Sequence, residues 1–376
     1  MNSEHIKKKK VLIVINSLWN SINFRENLIF ELSHLYNVVL VASKDTNLKS
    51  NRFKFVDLNF NSRGMNLFRE FITFIKLFKI IKTENPNIIL SFTIKPNIYA
   101  SLVAQILDIP IINNITGLGM YYSKNFLIKS IINFIYIIAL KKSKIIYFQN
   151  LRDRNYFADK KIFKNQMSKI LPGSGIDLRK FSPRNNLKAN NKKIIFLMIS
   201  RLLWAKGVKE YFEVAQIIKK KYKNVEFHLY GFIEKVKSKD AISYKQIMDW
   251  NRTGAIKYFG PTNKVIDVLF KSDCIVLPTI YNEGVPRILL EASALKKPCI
   301  TNNIPGCSDA VENNYNGFLC NPNDKNDLHF NIEKFINLSL LKRKELGNNA
   351  RKKMKNEFDE KVIIGEYIKN IKKLKI

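Results

Sequence analysis

Ile194-Ile-Phe-Leu-Met-Ile199 runs straight into Ser200-Arg-Leu-Leu-Trp-Ala-Lys-Gly207, and the reading of this join decides the fold. A short unbroken apolar run followed by a polar turn and a helix-length segment is the pattern of a strand buried on both faces in a parallel sheet. The same alternation recurs along the chain. In the first half the apolar runs are Val11–Ile15, Val38–Val41, Ile88–Phe92, Ile109–Asn113 and Ile145–Phe148, and in the second half Val225–Tyr230, Ile256–Phe259, Cys274–Leu277 and Pro298–Thr301. Strands alternating with helices predict an α/β protein with parallel sheets covered by helices.

At 376 residues, with 46% hydrophobic and 12% aromatic side chains, the chain is long enough for two domains of roughly 150–200 residues, each with its own core. Leu171-Pro-Gly-Ser-Gly-Ile-Asp177 and the polar stretch from Asn185 to Lys193 mark the linker. The expected division is 1–185 for an acceptor-binding domain, 186–355 for a nucleotide-binding domain, and 356–376 for a terminal helix packing back on the first domain. Two doubly wound domains would leave a cleft at the carboxyl ends of their strands, where ligands of such folds bind.

The balance of 64 Lys and Arg against 31 Asp and Glu leaves a formal charge of +33. Such an excess calls for an anionic partner, whether nucleic acid, lipid or phosphorylated small molecule. The basic residues are spread along the chain and form no nucleic-acid recognition motif, so nucleic acid is not the expected partner. No dinucleotide fingerprint or phosphate loop of the G-x-x-x-x-G-K type is present. Cys274, Cys299, Cys307 and Cys320 lack paired spacing and the histidines are scattered, which predicts neither disulfides nor a metal site. The apolar run after the basic residues 1–10 is too short for a signal-peptide core, and a cytoplasmic location is expected.

Tyr281-Asn-Glu-Gly-Val-Pro-Arg-Ile-Leu-Leu-Glu-Ala-Ser-Ala294 carries the chemistry. A helix beginning near Pro286 puts Glu283 in the loop and Glu291 inside the helix. The carboxylates would then stand on the order of 8–12 Å apart, with unpaired helix-start N–H groups between them. That spacing suits a nucleotide sugar: diphosphate at the positive helix end, one carboxylate for the sugar, the other for the ribose diol. It is too long for the carboxyl pair of a retaining hydrolase, roughly 5–5.5 Å. Arg201 and Lys206, at the strand-to-helix turn, can neutralise a diphosphate as fork and point charge.

With these residues in place the chain resembles the retaining glycosyltransferases of family four, which have the GT-B fold of two Rossmann-like doubly wound domains around an interdomain cleft. The resemblance covers nearly the whole chain and rests on Ser200-Arg201, Lys206-Gly207, the Gly231 loop, Tyr258-Phe259-Gly260 and Glu283-x7-Glu291. Phe92-Thr-Ile-Lys-Pro-Asn97, Asn114-Ile-Thr-Gly-Leu-Gly119 and Trp204-Ala-Lys-Gly-Val-Lys209 look most like bacterial enzymes of surface-glycan assembly. The resemblance implies transfer of an N-acetylhexosamine or hexose from a UDP-sugar to a lipid-linked or glycan acceptor, without a metal cofactor. It makes Arg201 and Lys206 ligands of the diphosphate, Glu283 of the sugar and Glu291 of the ribose. The backbone of Gly284 and Val285 would meet the sugar phosphate, and that near Phe259 and Gly260 the base. Where many relatives place Gly-Gly after the first strand this chain has Asn16-Ser-Leu-Trp-Asn20, and where many place a histidine it has Thr93, Lys95 and Asn97. Lys95 and Asn97 are thereby candidate substrate-binding residues, and Gly117 and Gly119 form either a tight turn or a cleft-lining loop.

Asn66–Lys82 and Phe126–Leu140 are apolar stretches edged with Lys and Arg, among them Lys141, Lys142 and Lys144. Both fall short of the roughly 20 apolar residues of a spanning helix. They are either core-facing helices or helices lying in an anionic membrane surface, the second of which would make the protein peripheral on the inner face of the cytoplasmic membrane. Two other functions fit parts of the pattern: a sugar-nucleotide epimerase of the same fold, and a basic nucleic-acid-binding protein.

Overall fold

A computed structural model describes residues 8–46, 53–60, 66–118, 126–184, 193–233, 240–281 and 284–374. The chain divides into two compact units: one runs to Ser174 and takes up the chain again from Lys361, the other is Gly175–Glu360.

In the first unit β1 (Lys10–Ser17), β2 (Asn37–Ser43), β3 (Lys54–Asp57), β4 (Ile88–Phe92), β5 (Ile111–Ile115), β6 (Ile145–Phe148) and β7 (Met167–Ile170) form one sheet in the order β3-β2-β1-β4-β5-β6-β7. Every pairing in it is parallel, so each connection must cross over, and helices lie between β1 and β2, β3 and β4, β4 and β5, β5 and β6, and β6 and β7. Successive β1 residues serve opposite faces, the period-2 rule of a strand. Val11, Ile13 and Ile15 pack with helix Leu18–Leu35 and with Ile363, Ile364, Tyr367 and Ile371 of the last helix, Glu360–Lys373. Leu12 and Val14 pack with residues of helices Leu67–Glu84 and Ile94–Ile106.

The second unit has β8 (Ile194–Ile199), β9 (Val225–Tyr230), β10 (Lys257–Tyr258), β11 (Cys274–Leu277), β12 (Cys299–Asn302) and β13 (Gly317–Cys320), ordered β10-β9-β8-β11-β12-β13 and again all parallel. Each sheet thus reverses its winding once, between β1 and β4 in the first unit and between β8 and β11 in the second. At such a switch point the two adjoining crossover helices lie on opposite faces and leave a crevice at the carboxyl ends of the strands.

The division falls after Ser174 instead of at residue 185, because residues 176–181 are tied to the second unit's own last long helix. Ile176 N donates to Phe358 O at 2.8 Å, and the Arg351 guanidinium reaches the carbonyls of Leu178 and Phe181 at 2.8 and 2.5 Å. The last helix joins the first core through polar contacts as well as apolar ones. Asn114 Nδ2 lies 2.6 Å from Tyr367 Oη, Asn370 Nδ2 lies 2.7 Å from Tyr147 Oη, and Lys169 pairs with Glu366.

Candidate donor site of the second unit

The site grows from β8 and β11, the pair between which the second sheet reverses. After β8 the chain leaves its ladder in a turn that neighbours hold from two sides. On one side Trp204 N donates to Asp240 O at 2.9 Å and Ala205 N to Asp240 Oδ1 at 3.1 Å. On the other, Ala205 O accepts from Ile280 N at 2.9 Å and from the Thr279 hydroxyl at 3.2 Å. Gly207 closes the turn at φ 77°, and a Cβ there would stand 2.2 Å from Pro278 O. No side chain fits between a backbone carbonyl and that position, and the left-handed φ excludes one independently. The loop after β8 and the chain after β11 are therefore pressed together at this point.

This closure brings Arg201 and Lys206 to one place. The Arg201 guanidinium carbon lies 5.1 Å, and Lys206 Nζ 5.0 Å, from the ring centroid of Tyr281. Lys206 is only 6% exposed, so its charge sits where water screens it weakly. Tyr281, Thr279 and Asp240 had no signal in the sequence beyond their proximity to the motifs, because each meets partners that are distant in the chain.

Beyond β11 the helix Arg287–Ala294 starts one residue after Pro286, which caps it without a side-chain hydrogen bond. The N–H groups of its first turn are thus not taken up by a capping side chain. Gly284 and Val285 are buried immediately before it. Glu291 accepts from Arg287 Nε at 2.9 Å, one helical turn apart. Burial raises the Glu291 pKa above the ordinary glutamate value, opposed by the positive charges of Arg287 and Lys180. Glu283 lies outside the described residues.

At the carboxyl end of β9 the rings of Tyr230 and Phe259 stack at 4.9 Å and 13°. Phe259 remains 49% exposed, which leaves apolar ring surface available. Gly231 N donates to Gly260 O at 3.0 Å and Tyr258 Oη to Gly231 O at 2.9 Å, fixing the backbone beside the rings.

The first unit's switch point is built differently. Asn97 is fully buried. Its Oδ1 accepts from the Ser91 hydroxyl at 2.6 Å and from Asn113 Nδ2 at 3.3 Å, and its Nδ2 donates to Asn114 O at 2.8 Å. It is a strut between β4, β5 and the helix that follows, and it presents no polar atom to a substrate. Lys95 is no open cation either: its ammonium pairs with Glu70 at 2.6 Å, and Glu70 also accepts from the Tyr99 hydroxyl. Thr93, between them and β4, holds φ 70° and ψ 165° and keeps its Oγ1 buried without a hydrogen-bond partner. Gly117 turns the chain after β5 at φ 115°, and Gly119 lies outside the described residues.

The two apolar stretches are helices with one face on the protein and the other bare. In Phe126–Ala139 only Tyr136 and Ala139 are buried, while Phe126 is 81% and Phe134 62% exposed and Leu127 and Ile131 are open too. Phe68 and Phe71 are likewise exposed on Leu67–Glu84. No helix among the described residues is long and apolar enough to cross a membrane, and no group of three or more His, Cys, Asp or Glu among them could hold a metal.

Residues 180–353 match the family model of glycosyl transferases group 1, and residues 10–150 match that of glycosyl transferase 4-like domains. The chain thus carries a group 1 glycosyl transferase domain after a glycosyl transferase 4-like domain. It is similar, at 28% identity over 84% of its own length and 85% of the relative's, to the N,N'-diacetylbacillosaminyl-diphospho-undecaprenol alpha-1,3-N-acetylgalactosaminyltransferase of Campylobacter jejuni. The capsular polysaccharide biosynthesis glycosyltransferase CapM of Staphylococcus aureus is also 28% identical, over 87% of each chain. The crystal structure of Anabaena HepE in complex with UDP and glucose superposes with a TM-score of 0.78 over 97% of this chain and 100% of that one, at 14% identity. These matches make the protein a sugar transferase of the GT-B fold and favour that reading over the epimerase and nucleic-acid alternatives.

Proposed function

We propose that this glycosyltransferase moves a sugar, an N-acetylhexosamine or hexose, from a UDP-sugar to a lipid-linked or surface-glycan acceptor with retention of anomeric configuration. The observation that carries the reading is the convergence of Arg201 and Lys206 at the second sheet's switch point. Two cations and, in the same unit, a helix start without a side-chain cap are the elements of a diphosphate site. In this reading Glu291 takes the ribose, the Gly284 and Val285 backbone the sugar phosphate, and the Phe259 and Gly260 segment the base. By the family resemblance Glu283 takes the sugar.

In the reaction the acceptor hydroxyl oxygen bonds to the anomeric carbon as the bond to the diphosphate oxygen breaks, and the leaving oxygen takes the hydroxyl proton on the same face. Negative charge grows on the diphosphate during this step, so Arg201 and Lys206 bind the transition state more tightly than the ground state. Countercharge from side chains fits a reaction independent of metal, which activity retained in excess chelator would support and loss restored by a divalent ion would refute. Transfer itself is tested by incubating the protein with UDP-sugars and an undecaprenyl-diphosphate-linked sugar and reading the anomeric configuration of the product by NMR. An inverted product would end the retaining assignment, and release of an altered UDP-sugar without acceptor would favour the epimerase.

The acceptor side of the reading is a peripheral seat on an anionic membrane. Two bare apolar helix faces, with the exposed Lys141, Lys142 and Lys144 at the end of one, are the composition of helices that lie in an interface. Each cation near such a surface contributes about 1 kcal/mol at modest salt. The protein should therefore float with anionic vesicles and be released by high salt, and charge reversal at the three lysines should reduce flotation while leaving UDP binding intact. A wild-type protein that never floats would refute this seat.

A further inference from the structure

We infer that a groove at the amino ends of β4 to β7 is a binding site for the phosphate headgroup of one anionic lipid, held by Lys141, Lys142 and Lys144. This rests on the membrane seat proposed above and narrows it from a charged face to a single bounded site.

The groove has a volume of about 870 Å³ and lies wholly in the first unit, within the range of sites that take small molecules. Asn87, Pro110, Lys144 and Gln166 line it, and each is the residue before a strand of the parallel sheet. It therefore opens at the end of the sheet opposite the crevice of the switch point, and a headgroup seated in it leaves that crevice clear.

Lysines at a helix end ordinarily serve the helix itself, by bonding its last carbonyls. Here side-chain amides do that. Gln105 Nε2 donates to Ile138 O at 3.0 Å and to Ala139 O at 2.6 Å, and Gln166 Nε2 to Leu140 O at 3.0 Å and to Lys141 O at 2.8 Å. The Ser143 hydroxyl donates to Asn113 Oδ1 at 2.7 Å and pins the turn from a third side. The backbone is fixed and the ammonium groups are left over. Lys142 reaches only Asp108, at 3.5 Å, and both are exposed. Lys141 and Lys144 have no ion pair among the described residues. Three lysines against one aspartate leave the groove cationic, with an affinity for phosphate.

The helix that leads into the lysines points to a lipid as the source of that phosphate. Ile137 and Ile138, exposed in the last turn of Phe126–Ala139, stand four and three positions before Lys141, the spacing of neighbours on a helix. Ile131 and Phe134 continue the bare face away from the groove. A free phosphate makes no use of such a face, whereas a lipid with its headgroup in the groove can lay its chains along it.

The test uses the full-length protein and dihexanoyl phosphatidylglycerol below its micelle concentration, which presents the headgroup without a bilayer. Dihexanoyl phosphatidylcholine and inorganic phosphate are the other arms. Calorimetry should show one phosphatidylglycerol bound per protein, with the other two at least about tenfold weaker. Lys141→Gln together with Lys144→Gln should weaken binding about 25-fold, a factor of about five for each cation. The same neutralisation at Lys220 and Lys223, exposed in the second unit, should leave it within about twofold. Asn165→Trp, which fills the groove at unchanged charge, should cost at least about tenfold, and thermal melting checks that each variant folds. Binding retained by the Lys141 and Lys144 variant, or lost equally by the control pair, would overturn the inference, as would a stoichiometry that never saturates at one. Inorganic phosphate bound as tightly as the lipid would overturn the lipid as occupant. Wild type that floats with anionic vesicles but binds no monomer would sink the groove and leave the membrane seat standing, whereas wild type that does neither would end both.

Discussion

The two sheets offer their switch points to opposite uses. In the second unit, the turn after β8 spends its backbone on holding Lys206 and Arg201 beside the Tyr281 ring, and keeps charge at the site with little screening. In the first, the segment after β4 spends its polar side chains inward. Asn97 joins Ser91 and Asn113 in a buried network, and Lys95 is paired with Glu70. The same topological position thus carries two cations beside one aromatic ring in one unit and an internally braced edge in the other. A crevice at a switch point therefore follows from the winding of the sheet, whereas what the crevice can bind depends on the side chains that the turns at the strand ends carry.

The comparison can be broken at its most rigid point first. Gly207→Ala forces a methyl against Pro278 O, 2.2 Å from the Cβ position, at φ 77°. Backbone strain and overpacking together should cost about 3 kcal/mol or more in denaturant unfolding. A loss below about 1 kcal/mol would mean that the turn after β8 can open, and that the cations are not held by it. On the other side, Asn97→Ala leaves the Ser91 and Asn113 groups short of a buried partner and should cost about 2 kcal/mol of stability. Its KM for donor should match wild type; a folded variant with a selectively raised substrate KM would restore Asn97 to the binding role it has in the sequence-based expectation.

Lys206→Ala should show the inverse profile, unfolding like wild type but turning over at least about tenfold more slowly, and Arg201→Ala the same. Wild-type turnover in either variant would remove the diphosphate role. The smallest expected effect is at Glu291. Glu291→Gln should weaken UDP several-fold, since an amide offers the ribose diol a weaker acceptor than a carboxylate. Because burial raises this carboxyl's pKa, its binding-competent ionised form is lost on acidification sooner than an ordinary glutamate's. UDP affinity should fall as pH drops, with a midpoint above the ordinary glutamate value, and calorimetry on the Gln variant should show that step gone. If affinity is unchanged in the variant, Glu291 does not hold the ribose.

Strands buried on both faces were legible because nothing but an unbroken apolar run satisfies two covered faces. Ile88–Phe92, Ile145–Phe148, Ile194–Ile199 and Cys274–Leu277 stand in the structure with the bounds read from the chain, as does Val225–Tyr230, whose burial alternates. The strands that escaped reading, Lys54–Asp57, Met167–Ile170 and Gly317–Cys320, are all at sheet edges. An edge strand has one partner and less apolar surface to bury: β3 and β7 expose both of their terminal residues. Their short mixed sequences carry little of the period that marks a strand. The start of the Glu291 helix at Arg287 was legible from Pro286 for a local reason, the fixed φ of proline.

What the sequence determined by itself is therefore whatever a few neighbouring residues settle: the buried strands, the helix start, and the placing of Arg201 and Lys206 on a turn after β8. What only the tertiary structure decided is which partners the polar groups meet. Lys95 and Asn97 read in the chain as candidate substrate-binding residues, and only folding brings Glu70, Ser91 and Asn113 against them. Tyr281 looks like a loop residue until β8 and β11, some eighty positions apart in the chain, lie side by side. The physical reason is that a charged or amide side chain binds whatever complementary group it meets first at short range, and that partner's identity is fixed by long-range packing.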